Sequence, residues 1–263
     1  MANAASTRIA DLKPGDGYVQ SFARGLQVIR SFSASAPRQT LTEVAQRSGL
    51  SRAGARRILL TLESLGYVRS EGKLFSLTPR ILDLGFAYLS SMPIWDLAEP
   101  VMEALVAQVK ESCSAAVLDD TDIVYVLRVP THKIITQNLS IGSRLPAFCT
   151  SMGRVLLAGL ATKDLAAYFA RVRLAPYTNR TVTAPDKVRQ LIDAARTADY
   201  AIVDQELEIG LRSIGVPVKD AHGRIAAAVN ISVQASRMSC ADMEATLRPP
   251  LVTAAHELGL LLA

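Results

Sequence analysis

The chain has 263 residues, 29 Lys and Arg against 24 Asp and Glu for a formal net charge of +5, and 49% apolar side chains, enough for two separate cores. No apolar run reaches the roughly 18 to 20 residues that a membrane-spanning helix needs. Three widely spaced cysteines, Cys113, Cys149 and Cys240, give neither a disulfide framework nor a zinc-ligand spacing, and the sequence holds no H-E-x-x-H, phosphate loop or G-x-G-x-x-G. The expectation is a cytoplasmic protein with reduced thiols and with no metal or nucleotide cofactor.

Charge is unevenly spread. Residues 1–80 hold 12 Lys and Arg against 5 Asp and Glu, and the remainder holds 17 against 19. A basic N-terminal third fits a nucleic-acid partner or an anionic membrane surface, and the patterning decides between them. Residues 1–17 lack the apolar core of a signal peptide and read as a flexible tail. Phe22, Leu26, Ile29 and Phe32 share one helical face, which predicts a first helix from about Val19 to Ser33, closed by a loop with Pro37. Thr40-Leu41-Thr42-Glu43 fits a capping box for a second helix, which Ser48-Gly49 ends. Ser51 then opens a third, with Ala55, Ile58, Leu59, Leu62 and Leu65 facing inward and Gly66 as its stop.

Two short helices around a tight glycine turn form a helix-turn-helix, whose second helix enters the major groove with its N-terminal end toward the bases. Ser51, Arg52, Ala53, Arg56 and Arg57 occupy that end, and Thr40, at the start of the second helix, is expected to contact DNA with them. Three arginines there oppose the helix dipole, so either the face is simply solvated or a strongly anionic partner neutralises them. Arg52 and Arg56, one turn apart, are expected to reach bases, and Arg57 a phosphate. "YVRSEGKLFSL" follows as two β-prone runs around a four-residue connection, Ser70-Glu71-Gly72-Lys73. Such a hairpin is a wing, with Arg69 and Lys73 placed to reach the flanking backbone. Thr78-Pro79 starts another helix, in which Ile81, Leu82, Leu84, Phe86 and Leu89 lie on more than one face. A helix apolar on most sides must be buried, and this one is read as a linker helix packed on a partner subunit. The expected domains are a tail at 1–17, a winged helix-turn-helix at 18–78, a linker helix at 79–92 and an effector-binding domain at 93–263.

These residues resemble the IclR family of bacterial transcriptional regulators over nearly the whole chain from about Val19. The resemblance is carried by "LTEVAQRSGLSRAGARRILLTLESLGYV", "GSRLPAFCTSMGRVLLAGL" and "DQELEIGLRSIGVPVKDAHGRIAAAVNIS". Within the family, "FCTSMGRVLLA" and "GLRSIGVPV" are most similar to regulators of aromatic-acid catabolism through protocatechuate and the β-ketoadipate pathway. The resemblance implies double-stranded operator DNA and a small organic acid as partners, and a GAF-like effector domain.

The residues beyond Pro93 agree with an α+β domain. A helix with Leu97, Val101, Leu105 and Val109 precedes β-prone segments at 114–118, 123–129 and 133–140. Further strands are expected at 201–204, 214–219 and 225–233, with helices from Ser151, Pro185 and about Cys240. Short turns between them predict a largely antiparallel sheet. Asp119, Asp120 and Asp122 read as a hairpin turn. A carboxylate site is expected where free backbone N–H groups at the Ser151 helix end meet the hydroxyls of Thr150 and Ser151. Arg144 and Arg212 are placed near it, with surface positions as the alternative. Asn230 and Ser232 alternate along one face of a buried strand, opposite the helix end. The resemblance implies that Leu145, Ser151, Met152, Ser213, Asn230 and Ser232 line the effector pocket, and it adds Asp204 from an acidic motif that includes Glu206 and Glu208. Each hydroxyl or amide taken singly also fits capping or backbone bonding. A homodimer is expected, and pairing of dimers into a tetramer is left open. A cysteine-dependent enzyme acting on a small acid, built from Cys149, His132 or His222, and Asp204, is the alternative from a different class.

Overall fold

In the computed structural model of the protein, residues 18–90, 94–131 and 139–262 are described, except the side chains of 89–90 and 94–96. The expected tail, the composition change at Pro93, His132 and most of the expected 133–140 strand lie outside these residues. The chain divides into two compact units, Met1–Ser90 and Ser91–Ala263.

In the first unit, α1 (Gln20–Ser31) packs with α2 (Leu41–Ser48) and α3 (Arg52–Ser64). Their shared core holds Val28, Val44, Ala45, Ala55, Leu59 and Leu62. The capping box forms as expected: Glu43 N donates to Thr40 Oγ1, and Thr40 N donates to a Glu43 carboxylate oxygen at 2.7 Å. Gly49 ends α2 at φ 69°, in the left-handed region where glycine escapes the side-chain clash. The wing is tighter than expected. Strands β2 (Val68–Glu71) and β3 (Leu74–Leu77) pair up to Glu71 and Leu74, so Gly72 and Lys73 alone connect them, with Gly72 at φ 64°. A strand β1 (Arg38–Thr40) pairs with β3 on its other side, where the sequence suggested only a loop. Thr78 caps a 3-10 turn over Pro79–Ile81, and α4 (Leu82–Ser90) follows.

Among the described residues the second unit is a six-stranded antiparallel sheet with helices on both faces. After α5 (Ile94–Val109) come β4 (Ser112–Asp119), β5 (Asp122–Val129) and a short β6 (Arg144–Pro146). Then follow α6 (Ser151–Ala158), α7 (Thr162–Arg171), α8 (Pro185–Ala198), β7 (Ala201–Asp204), β8 (Leu211–Lys219), β9 (Ile225–Gln234), α9 (Cys240–Thr246) and α10 (Arg248–Leu260). The strand order is β6-β5-β4-β9-β8-β7. Asp120 turns the β4–β5 hairpin at φ 56°, which is the turn expected there. One face packs under α6, α7 and α8 through Ala116, Tyr125, Ala201 and Ala228. Ile214, Val216, Val229 and Ile231 point to the other face, which α5 and α10 cover. Burial on both sides explains why β9 reads as a nearly continuous apolar run instead of an alternation. Its polar exceptions are therefore the positions to explain.

Candidate DNA-reading face and effector cavity

On α3 the buried stripe is Ala55, Leu59 and Leu62. Arg57 is two positions from both Ala55 and Leu59, roughly 200° around the helix from each, and Ala53 is as far from Ala55. These two point straight away from the core. Arg56 lies one position from Ala55, roughly 100° away, and with Arg52 forms the flank. The burial pattern thus sets Arg57, more squarely than Arg56, opposite the core. Arg52, Arg56 and Arg57 are all exposed and meet no carboxylate among the described residues. Ser51 caps the helix by accepting from Gly54 N at 3.2 Å. The Thr40 hydroxyl is engaged with Glu43, donating to its carboxylate at 2.8 Å, and so helps to fix the start of α2. Arg69 lies along the wing, donating to Ser76 Oγ at 3.2 Å and 3.6 Å from Glu71. Lys73 is exposed at the hairpin tip.

In the second unit a cavity open to solvent lies between α6 and the sheet, with about 550 Å³ of space between atoms when its mouth is counted. Leu145, Thr150, Ser151, Met152, Ser213, Asn230 and Ser232 all line it, as expected. Gly215 brings α6 close to the sheet: a Cβ there would lie 2.9 Å from Ser151 C and 3.0 Å from Met152 N. Gly215→Ala is accordingly expected to push the α6 N-terminus off β8, cost about 1–3 kcal/mol and weaken ligand binding. Thermal unfolding with and without ligand measures both effects.

Three of the expected residues stand elsewhere. Arg144 Nη1 pairs with Asp119 at 2.5 Å and its Nε with Asp122 at 3.3 Å, at the β4–β5 turn. Arg212 Nε pairs with Asp204 at 2.6 Å, and its Nη1 donates to the Ala235 carbonyl at 3.2 Å. Neighbours along a strand point to opposite faces, so Arg212 leaves the face that Ser213 joins, as Arg144 leaves that of Leu145. Arg212 beside Asp204 holds that carboxyl below the usual carboxylate range. The pair is structural. Thr150 is also partly used: its hydroxyl accepts from Gly153 N at 3.2 Å and reaches the Pro146 carbonyl at 3.2 Å, so it is a cap and not a spare donor.

What remains is a short row of unsatisfied groups. Ser151 Oγ and Asn230 Oδ1 are buried without a hydrogen-bond partner among the described residues, in side chains whose residues are 1% and 5% exposed. The Ser151 and Met152 N–H groups, first in α6, meet no acceptor there either. Asn230 Nδ2 donates to Ser232 Oγ at 3.2 Å. Sequence reasoning missed the one cation on the described wall, Arg128 of β5, whose Nη1 lies 3.4 Å from Ser114 Oγ. Its signal was available only in the register: Ser114 stands opposite both Arg128 and Asn230. Glu208 is the one acid on that wall. Behind it, Arg154 and Glu206 form a buried pair at 2.7 Å. Cys149 lines the cavity, but burial pushes its thiol up to about 12, with the Glu206 charge adding to the effect. A thiol protonated at neutral pH is no nucleophile, and His222 sits in the distant β8–β9 turn.

A winged helix-turn-helix joined in one chain to a cavity-bearing α+β unit is the architecture of a ligand-responsive DNA-binding protein. The chain belongs to the IclR family: residues 21–72 match the IclR helix-turn-helix domain and residues 86–259 the bacterial transcriptional regulator IclR C-terminal domain. It is 40% identical over 242 residues to the Pca regulon regulatory protein of Pseudomonas putida, covering 92% of this chain and 83% of that one. It is 34% identical over 248 residues, 92% of each chain, to the p-hydroxybenzoate hydroxylase transcriptional activator of Acinetobacter baylyi. A putative transcriptional regulator from Rhodococcus sp. RHA1 matches it in structure with TM-score 0.83 and 48% identity, over 93% of this chain and 98% of that one. A double mutant of the PobR inducer binding domain from Acinetobacter, in complex with 3-hydroxybenzoic acid, matches with TM-score 0.60 and 31% identity, over 64% and 98%. The protein is a DNA-binding transcriptional regulator of this family. No helix among the described residues is long and apolar enough to cross a membrane.

Proposed function

We propose that the protein regulates genes of aromatic-acid catabolism, with a hydroxybenzoate-type acid bound in the α6 cavity setting how firmly α3 holds operator DNA. The observation that carries this reading is the pair of buried, unpartnered polar atoms on the cavity wall, Ser151 Oγ and Asn230 Oδ1. Leaving each unsatisfied costs about 1–3 kcal/mol, a cost that a polar ligand removes. Arg128 supplies the charge that an acid needs, and Met152, Leu145 and Leu207 supply apolar wall for a ring. The names of the two curated relatives and the benzoic acid bound by the PobR domain support the same class. A thermal-shift panel of protocatechuate, 4-hydroxybenzoate, β-ketoadipate, glyoxylate and pyruvate tests it. Stabilisation by a hydroxylated benzoate and not by the two-carbon or three-carbon acids is the expected outcome. Stabilisation by glyoxylate alone would replace the aromatic reading.

On DNA, α3 is assigned to the major groove, with Ala53 and Arg57 toward the bases, Ser51, Arg52 and Arg56 on the flank, and Arg69 and Lys73 of the wing on the backbone. The occupant assigned to α4 is the same helix of a second copy, giving a homodimer that presents two reading heads, inside the cell where its operator is. Leu82 and Phe86 are 70% and 69% exposed, a density of bare apolar surface that one helix does not present to water without a partner. Leu82→Glu with Phe86→Glu is expected to convert dimers to monomers in sedimentation and to abolish binding to a two-half-site operator. An unchanged sedimentation coefficient would place the dimer contact elsewhere.

A further inference from the structure

We infer that the cavity takes its acid in one polarity, the carboxylate at Arg128 and a ring hydroxyl between Ser151 and Asn230, so that Asn230 selects hydroxylated acids. This rests on the aromatic-acid reading above and reverses the orientation expected from sequence, which put the carboxylate at the helix end. On the cavity face, Arg128, Ser114, Asn230 and Gly215 stand side by side across β5, β4, β9 and β8. Ser151 lies over Gly215, where a Cβ would come within 3.1 Å of its Oγ. The Arg128 guanidinium reaches back to Ser114, so one donor group sits over β4 and the other over β8. Two strand spacings separate those positions, about 10 Å, with Asn230 on the strand between.

Both ends offer donors to an anion, so the acceptors decide. Asn230 Oδ1 is buried and only accepts, while its Nδ2 is engaged with Ser232. A carboxylate beside it brings no proton and sets negative oxygen against negative oxygen. A hydroxyl donates to Asn230 Oδ1 and accepts from the Ser151 hydroxyl and the free N–H groups of α6, so one group satisfies both orphaned atoms. Glu208 comes from the turn between β7 and β8, on the helix-end side of the sheet, and disfavours a second negative charge there. Arg128 lies on the opposite side, carries a full positive charge, and has the Ser114 hydroxyl beside it. A benzoate ring hydroxylated away from its carboxylate links the two ends. A two-carbon acid reaches only one.

Calorimetric titration of 4-hydroxybenzoate and 4-fluorobenzoate into the full-length protein tests this, because the fluoro compound keeps ring and carboxylate and lacks the proton. Wild type is expected to prefer the hydroxy acid by about ten- to a hundredfold. Asn230→Leu, and independently the milder Ser151→Ala, should narrow that preference to within about threefold, whereas Arg128→Gln should weaken both acids by a common factor and keep it. Wild type binding both acids equally overturns the inference, as does loss of the preference in Arg128→Gln with both acids weakened equally by Asn230→Leu. Wild type binding neither acid is a different result: it removes the aromatic-acid reading itself, and this orientation with it.

Discussion

Arg154→Ala is expected to lower the unfolding free energy of the effector-binding unit by about 3–5 kcal/mol, as when one partner of a buried ion pair is removed. The Arg154 and Glu206 side chains are 3% and 9% exposed and meet at 2.7 Å. Arg154 Nε also donates to the Phe148 carbonyl at 3.0 Å, and Glu206 accepts from Val182 N at 3.1 Å. The pair thus ties the first turn of α6 to the turn that carries Leu207 and Glu208 into the cavity wall. At about 2–4 °C per kcal/mol for a unit of this size, the melting midpoint should fall by roughly 10 °C, and effector affinity should fall with it. The cost is that of an uncompensated carboxylate and not the net worth of the pair, so Arg154→Met with Glu206→Leu should recover most of the loss. Thermal unfolding of the single and double variants reads this directly. A single-variant loss under about 1 kcal/mol would show that water reaches the pair.

The second large effect is on DNA. Arg57→Ala is expected to cost about 1–3 kcal/mol on the specific operator and much less on random DNA, the behaviour of a lost base contact. Arg56→Ala should weaken both DNAs alike and reduce the salt dependence of binding by about one ion. The physical basis is angular. Arg57 points opposite the Ala55–Leu59–Leu62 stripe that seats α3 on its unit, and Arg56 lies on its flank. Titrations of operator and random DNA at several salt concentrations separate the two roles. Equal losses on both DNAs for Arg57→Ala, with a specific loss for Arg56→Ala, would restore the order in which the bare sequence ranks them.

Local rules made much of this molecule readable from its residues. The Thr40–Glu43 box, Gly49, Ser51 and the Asp120 turn each act within a few positions, and the structure places them as capping and turn chemistry dictates. β1 was invisible because three residues are too few for a period-2 pattern and its partner, β3, lies far along the chain. α7 was missed because its buried residues reduce to Leu165 and Tyr168 within ten positions. Charge at the cavity was misplaced for a related reason. Arg144 and Arg212 are next to Leu145 and Ser213 in sequence, and strand geometry turns immediate neighbours apart. Arg128 lies far from every expected cavity residue in sequence, and only the pairing of β4 with β5 and β9 brings it to Asn230.

The central claim is a coupling between two sites in one chain. Its most direct test is operator binding by the full-length protein, on DNA that it selects from a random pool, with and without saturating 4-hydroxybenzoate, measured by fluorescence anisotropy. Linkage requires that an effector which changes operator affinity by some factor has its own affinity changed by operator by the same factor. The account predicts a shift of about 5- to 150-fold in wild type, matched by that reciprocal change. At the same acid concentration Arg128→Gln, with its weakened acid binding, should show little or no shift. Superimposable operator curves from a protein that calorimetry shows to be saturated with the acid would contradict it.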